Sequence, residues 1–189
     1  MKLNIHQHLL PYVNRLQARS VDDINLVVIH CTELPDLAMA RVFGQKERYR
    51  ETGTGNCGHF YIDRDGSTEQ WVPFDRIAHH VKGFNPQSIG IELVNNGRYP
   101  DWFHTQHQEM SEPYPEQQIE ALTALLHHLQ LLLPGLEKVA GHEDLDTGMI
   151  ASEDRPELMI RRKLDPGILF PWSVLMDEVS LQRVMDNKL

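Results

Sequence analysis

Residues 26–33 read LVVIHCTE. Four apolar residues run straight into an imidazole, a thiol and a hydroxyl. The run has no polar alternation, so it is predicted to be a strand covered on both faces, at the centre of a sheet rather than its edge. A second buried strand is predicted at SIGIELVN, 88–95, whose one charged residue is Glu92. Between them, HFYIDRDGSTEQWV, 59–72, reads as a hairpin: two runs of aromatic and β-branched residues flank an Asp-Gly pair suited to a tight turn. KVAGHEDL, 138–145, reads as a short strand passing into a loop.

Helical spacing is clearest in PEQQIEALTALLHHLQLLLP. Its apolar residues fall at 119, 122, 125, 126, 129, 132 and 133, Pro115 suits the first turn, and Pro134-Gly135 ends it. His127 and His128 ride on this helix as peripheral residues. Further helices are expected over 36–50, with Gly44 as a weak point, over about 172–186, and as a short piece within 5–18 that pads the core. Residues 95–115 form a long irregular segment beside the substrate. Strands alternate with helices and one hairpin is present. The expected fold class is therefore α/β, a central mixed β-sheet flanked by helices.

The chain has 189 residues, enough for one domain with a sizeable core. The expected organisation is a single domain over 1–189, with its core at about 24–172, an N-terminal extension at 1–23 and the C-terminal helix. A formal charge of −9 argues against nucleic acid as the main partner, because phosphate binding needs a basic surface. No apolar run approaches a membrane span. The first residues, MKLNIHQHLLPYVNRL, lack the apolar core and cleavage site of a signal peptide, so the expected compartment is the cytoplasm. Two cysteines, Cys31 and Cys57, do not make a disulfide framework and are expected to be reduced and partly buried.

A histidine at the end of an apolar strand is either a satisfied core residue or a functional group. Rigid strands passing into loops are where functional groups collect. His30 sits at such an end, and so does His142 in AGHED. Catalytic zinc takes three protein ligands and leaves one position open. Asp165 in RKLDPG is a candidate third, held by the proline that follows. Lys163 lies two residues earlier, so in extended chain it points the same way. Glu92 is costly inside an apolar strand unless it is paired or put to use. It faces solvent, joins an ion pair, or serves as general base for an attacking water.

Taken together, IHCTE, GHFYIDRDGSTEQWVP, SIGIELVN and GHEDL…RRKLDPG resemble the zinc-dependent N-acetylmuramoyl-L-alanine amidases of the AmpD type, relatives of phage T7 lysozyme and the peptidoglycan recognition proteins. The resemblance spans about residues 24–172. It implies that His30, His142 and Asp165 hold Zn2+ and that Glu92 and Lys163 are catalytic. It also implies a substrate, the amide joining the lactyl group of N-acetylmuramic or anhydromuramic acid to L-alanine in peptidoglycan fragments (muropeptides). Asn56, His59, Tyr61 and His80 sit where family members contact substrate. Arg161, Arg162 and Lys163, with Arg48 or Arg50, are candidate cations for an anionic muropeptide, and Arg161 is assigned a substrate contact. Residues 146–160 form an apparent insertion, an extra wall or lid. Two other readings stay open: a peptidoglycan-binding module without catalysis, and a cysteine peptidase using Cys31 or Cys57.

Overall fold

The structure is a computed structural model and describes residues 3–185. Its elements in chain order are β1 (Ile5–Gln7), β2 (Leu26–Cys31), α1 (Leu37–Gly44), β3 (Phe60–Ile62), β4 (Thr68–Gln70), β5 (Ser88–Leu93), α2 (Glu116–Leu132), β6 (Lys138–Gly141), α3 (His142–Leu145), β7 (Met149–Ala151), β8 (Met159–Arg161), α4 (Trp172–Glu178) and β9 (Gln182–Arg183). Seven strands form one sheet in the order β1-β4-β3-β5-β2-β6-β9, and β7 pairs with β8 in a separate hairpin. β3, β5, β2, β6 and β9 run parallel, whereas β3 and β4 are antiparallel. The sheet is mixed and helices flank it, as the pattern of elements predicts.

The two apolar runs are neighbours at the sheet centre, with all six residues of β2 buried. Val27, Ile29, Ile89, Ile91 and Leu93 turn to one face, where Leu122, Leu125, Leu126 and Leu129 of α2 cover them. Each such side chain contributes about 1.5–3 kcal/mol by leaving water. Buried Gln118 pins α2 in place. Its amide donates to the carbonyls of Ile62 and Val94, each at 3.0 Å, at the ends of β3 and β5. On the other face, Tyr12, Leu16, Tyr61 and Trp71 form a second cluster under α1. Asp36 caps α1 by accepting from the Met39 N–H at 2.7 Å. In the 59–72 hairpin, Gly66 takes φ +85° but Asp65 does not take a positive φ. The Gly66 N–H bonds the Asp63 carbonyl, so the turn runs over Arg64 and Asp65 with a left-handed glycine after it rather than as a two-residue Asp-Gly turn.

Several boundaries depart from expectation. Residues 5–18 do not form an α-helix: Ile5–Gln7 adds a strand beside β4, and the chain beyond Pro11 makes only a 3-10 turn at Val13–Arg15. Free edge groups on β4 outcompete a helix that Pro11 would interrupt. α1 stops at Gly44, which packs tightly against the Trp71 ring. The last helix ends at Glu178, because the following chain pairs with the exposed edge of β6. Residue 186 of that expectation lies outside the described residues. His142–Leu145 is a helical turn rather than loop. The segment 95–115 is irregular apart from a 3-10 turn at Thr105–His107. No helix of the described residues is long and apolar enough to cross a membrane.

Candidate active site

Parallel strands deliver their functional groups at the carboxyl edge of the sheet, where ligands bind in open α/β folds. His30 of β2 pairs in register with Glu92 of β5, and Glu92 pairs with Tyr61 of β3. These three form one row on the face opposite α2. His142 follows directly after Gly141, the β6 partner of Ile29, and so arrives beside His30. Asp165 comes in from the 161–167 loop, anchored where the Glu143 N–H donates to its carbonyl at 2.9 Å.

His30 Nδ1, His142 Nδ1 and Asp165 Oδ2 stand 3.0 Å from one another on all three sides. All three residues are buried. Hydrogen bonds satisfy at most two of its three edges. The carboxylate oxygen carries no proton, and two imidazole nitrogens facing each other can share only one. A single cation inside it satisfies all three atoms. Donors about 2.0–2.1 Å from a tetrahedral zinc stand roughly 3.3 Å apart, close to the observed edges. Asp165 Oδ1 is also buried without a protein partner. Burial, and then His142, push His30 down to about 4, so its imidazole is neutral and keeps a lone pair for a metal. Burial opposes charge on Asp165, yet the two histidines hold its carboxyl well below the usual range. Among the described residues this is the one group of histidine, cysteine and acidic side chains placed to hold a metal ion.

The triad lies in a cleft of about 740 Å³ that is also lined by Asn56, Tyr61, His80, Glu92, Arg162 and Lys163. Burial, then Asp165, push Glu92 up to about 8, with Lys163 pulling the other way. The Tyr61 hydroxyl accepts from the Gly58 N–H at 3.0 Å, and its ring stacks on Trp71. Asn56 is exposed and accepts from the Tyr49 hydroxyl at 2.8 Å. His80 reaches the cleft, but both of its ring nitrogens already have protein partners, His30 and Ser88.

Two expected substrate contacts are corrected. His59 is fully buried and outside the cleft. Its ring meets Arg19 Nη2 at 2.9 Å and accepts the Gly90 N–H at 3.0 Å. It shares a face with Tyr61 but stands two residues further from the carboxyl edge, beneath His80. Arg161 also misses the cleft, because its guanidinium donates to the carbonyls of Glu143 and Asp146. Of the neighbouring cations, Arg48, Arg162 and Lys163 line the cleft, and Arg50 does not.

The expected insertion is the β7–β8 hairpin. It is fastened to the 95–115 segment, outside the cleft lining: the Glu153 N–H donates to the Phe103 carbonyl at 2.9 Å, and Thr105 Oγ1 donates to Asp154 at 2.6 Å.

Sequence reasoning missed a buried ion pair at the cleft floor. Arg98 donates to both carboxylate oxygens of Glu33, at 2.6 and 2.9 Å, and to the carbonyls of Arg161 and Arg162, both at 3.2 Å. It thus ties the exit of β2 to the loop that carries Lys163 and Asp165. The signal for it was the TE ending of the first quoted run, a carboxylate two residues past a buried strand. Arg98→Ala leaves Glu33 buried and unpaired, so a loss of about 3–5 kcal/mol is expected in urea unfolding. Recovery of part of that loss in the Arg98→Ala, Glu33→Gln double variant checks the cause.

A mixed sheet that brings two histidines, an aspartate, a half-buried glutamate and a lysine into one cleft has the arrangement of a hydrolase with a candidate metal site. Residues 20–168 match the family described as N-acetylmuramoyl-L-alanine amidase, and the chain belongs to it. The endolysin of Enterobacteria phage K11 is 28% identical over 142 residues, covering 75% of this chain and 85% of its own. The 1,6-anhydro-N-acetylmuramyl-L-alanine amidase AmpD of Enterobacter cloacae is 32% identical over 121 residues, 59% of this chain and 51% of the relative. A crystal structure of an AmpD derivative superposes with a TM-score of 0.63 at 25% identity, covering 95% of this chain and 99% of that one. The chain is an enzyme of N-acetylmuramoyl-L-alanine amidase activity acting on peptidoglycan.

Proposed function

We propose that the chain hydrolyses the lactyl amide of soluble muropeptides with Zn2+ held by His30, His142 and Asp165. The observation that carries this reading is the triangle of three donor atoms that hydrogen bonds cannot satisfy on all three edges. Zinc bound there supplies Lewis acidity toward the scissile carbonyl and toward water. Glu92, at the cleft floor beside His30, takes the proton of the attacking water and returns it to the leaving L-alanine nitrogen. Lys163 stabilises negative charge on the carbonyl oxygen during attack. Arg48 and Arg162 attract the anionic fragment to the cleft of this net acidic chain.

Likeness to an anhydromuramyl amidase supports fragments as substrate, and a cytoplasmic, recycling role is part of this proposal. The endolysin relative, aligned over more of its length, supports a second reading, intact wall. Neither cysteine suits the peptidase alternative. Both are buried, and burial pushes the Cys31 thiol well up and that of Cys57 to about 11. Mass spectrometry of products from purified muropeptides and from intact sacculi decides between the substrates. Free peptide beginning at L-alanine is expected from muropeptides, abolished by a chelator and untouched by a thiol alkylator. Faster release from sacculi overturns the fragment reading, and release that survives the chelator overturns the metal reading.

A further inference from the structure

His30 meets the other two donors through Nδ1, which leaves its Nε2 pointing away from them. That nitrogen lies 3.0 Å from His80 Nδ1. On its far side, His80 Nε2 lies 3.2 Å from Ser88 Oγ, and Ser88 Oγ lies 2.8 Å from the Phe84 carbonyl. A carbonyl only accepts, so Ser88 spends its one proton on Phe84. Its oxygen must then accept from His80, which places the His80 proton on Nε2 and leaves Nδ1 bare. Bare Nδ1 accepts from His30, so the His30 proton sits on Nε2, and its Nδ1 lone pair faces His142 and Asp165. Working from the other end gives the same polarity, because a metal ligand needs that lone pair free. Every donor in the row points one way.

We propose that His80 and Ser88 are positioning residues: through a one-directional hydrogen-bond chain ending on the Phe84 carbonyl, they lock His30 in the tautomer that binds a divalent metal. Packing holds the row in place. A Cβ at Gly90 would stand 2.5 Å from His80 Cγ, so the ring lies flat on the strand where no side chain fits. The loop carrying His80 is tied down by Asn85 Oδ1, which accepts from the N–H groups of His80 and Val81 at 3.0 and 2.7 Å. Partners that fix the tautomer of a ligating histidine are worth about 10–100-fold in metal affinity. This inference rests on the metal reading above, and two measurements separate them.

The first is zinc affinity, by competition with a chromophoric chelator, for wild type, His80→Leu, His80→Asn and Ser88→Ala. His80→Leu is expected to bind zinc about 10–100-fold more weakly. His80→Asn, whose side-chain oxygen still offers an acceptor to His30, regains most of that affinity, and Ser88→Ala shows a smaller loss. Equal weakness of the Leu and Asn variants means that packing alone is at work and overturns the proposal. So does wild-type affinity in His80→Leu. The second is the 15N shifts of the His80 ring in the metal-free chain. A proton on Nε2 with Nδ1 bare is expected at neutral pH, and a proton on Nδ1 overturns the relay even if zinc binds. A wild-type chain that shows the expected ring state but takes up no zinc overturns the metal reading instead.

Discussion

His142→Ala is expected to purify without zinc and to lose at least about 10⁴-fold in amide hydrolysis, the combined scale of a lost general base and a lost oxyanion stabiliser. Two donors remain, His30 Nδ1 and Asp165 Oδ2, still 3.0 Å apart. A bidentate remnant holds zinc weakly against dialysis, and the residues arranged around the ion then act on nothing. The check is metal content per chain, with thermal unfolding beside it. A ligand that binds only the folded chain adds about 2.7 kcal/mol at a hundred times its Kd, so zinc raises the Tm of wild type and leaves that of the variant in place. Full zinc occupancy with wild-type turnover in His142→Ala would remove this histidine from the metal site.

Those same donors mark what a sequence can disclose. His30 and His142 were legible because each ends an apolar strand, and adjacent parallel strands bring such ends together. Asp165 has no such periodicity behind it; the proline that follows it made it a candidate, and the resemblance of KLDPG to a family motif strengthened its role. The central strands, the 59–72 hairpin and α2 were legible from their apolar spacing. β1 and β9 were not: three and two residues long, they are strands only because a neighbouring edge offers partners. The β7–β8 hairpin was hidden likewise, its short strands exposed or half-buried and with no apolar–polar alternation in their sequences.

The misplaced residues lie near the cleft in sequence but not in the fold. Alternation says which face a side chain takes, not how far along the strand the cleft extends. His59 and Tyr61 share a face, yet the row Tyr61–Glu92–His30 is the one that lines the cleft, and His59 lies one step further back along the strand. Arg161 is the last residue of β8, and its guanidinium is spent on the Glu143 and Asp146 carbonyls. Glu33 and Arg98 were illegible as a pair because 65 positions separate them and neither sits in a periodic segment.

Glu92→Gln carries the second large effect, a fall of about 10²–10⁴-fold in kcat with zinc content unchanged. The substitution keeps shape and hydrogen bonding but removes the one property the proposed role needs, a site that takes a proton. Glu92 is not among the three mutually close donors, so metal binding is spared. Its environment suits a general base. Burial and Asp165 push the carboxyl up to about 8 while Lys163 opposes them, which gives it affinity for a proton near neutral pH. A base works only when deprotonated, so the wild-type rate climbs as pH rises through the pKa of Glu92, and that limb is absent from the Gln variant. Lys163→Ala, by contrast, loses activity about 10²–10³-fold while the limb persists, because it removes charge stabilisation and not the base. Wild-type kcat in Glu92→Gln, or an unchanged acidic limb, would move the base elsewhere in the cleft.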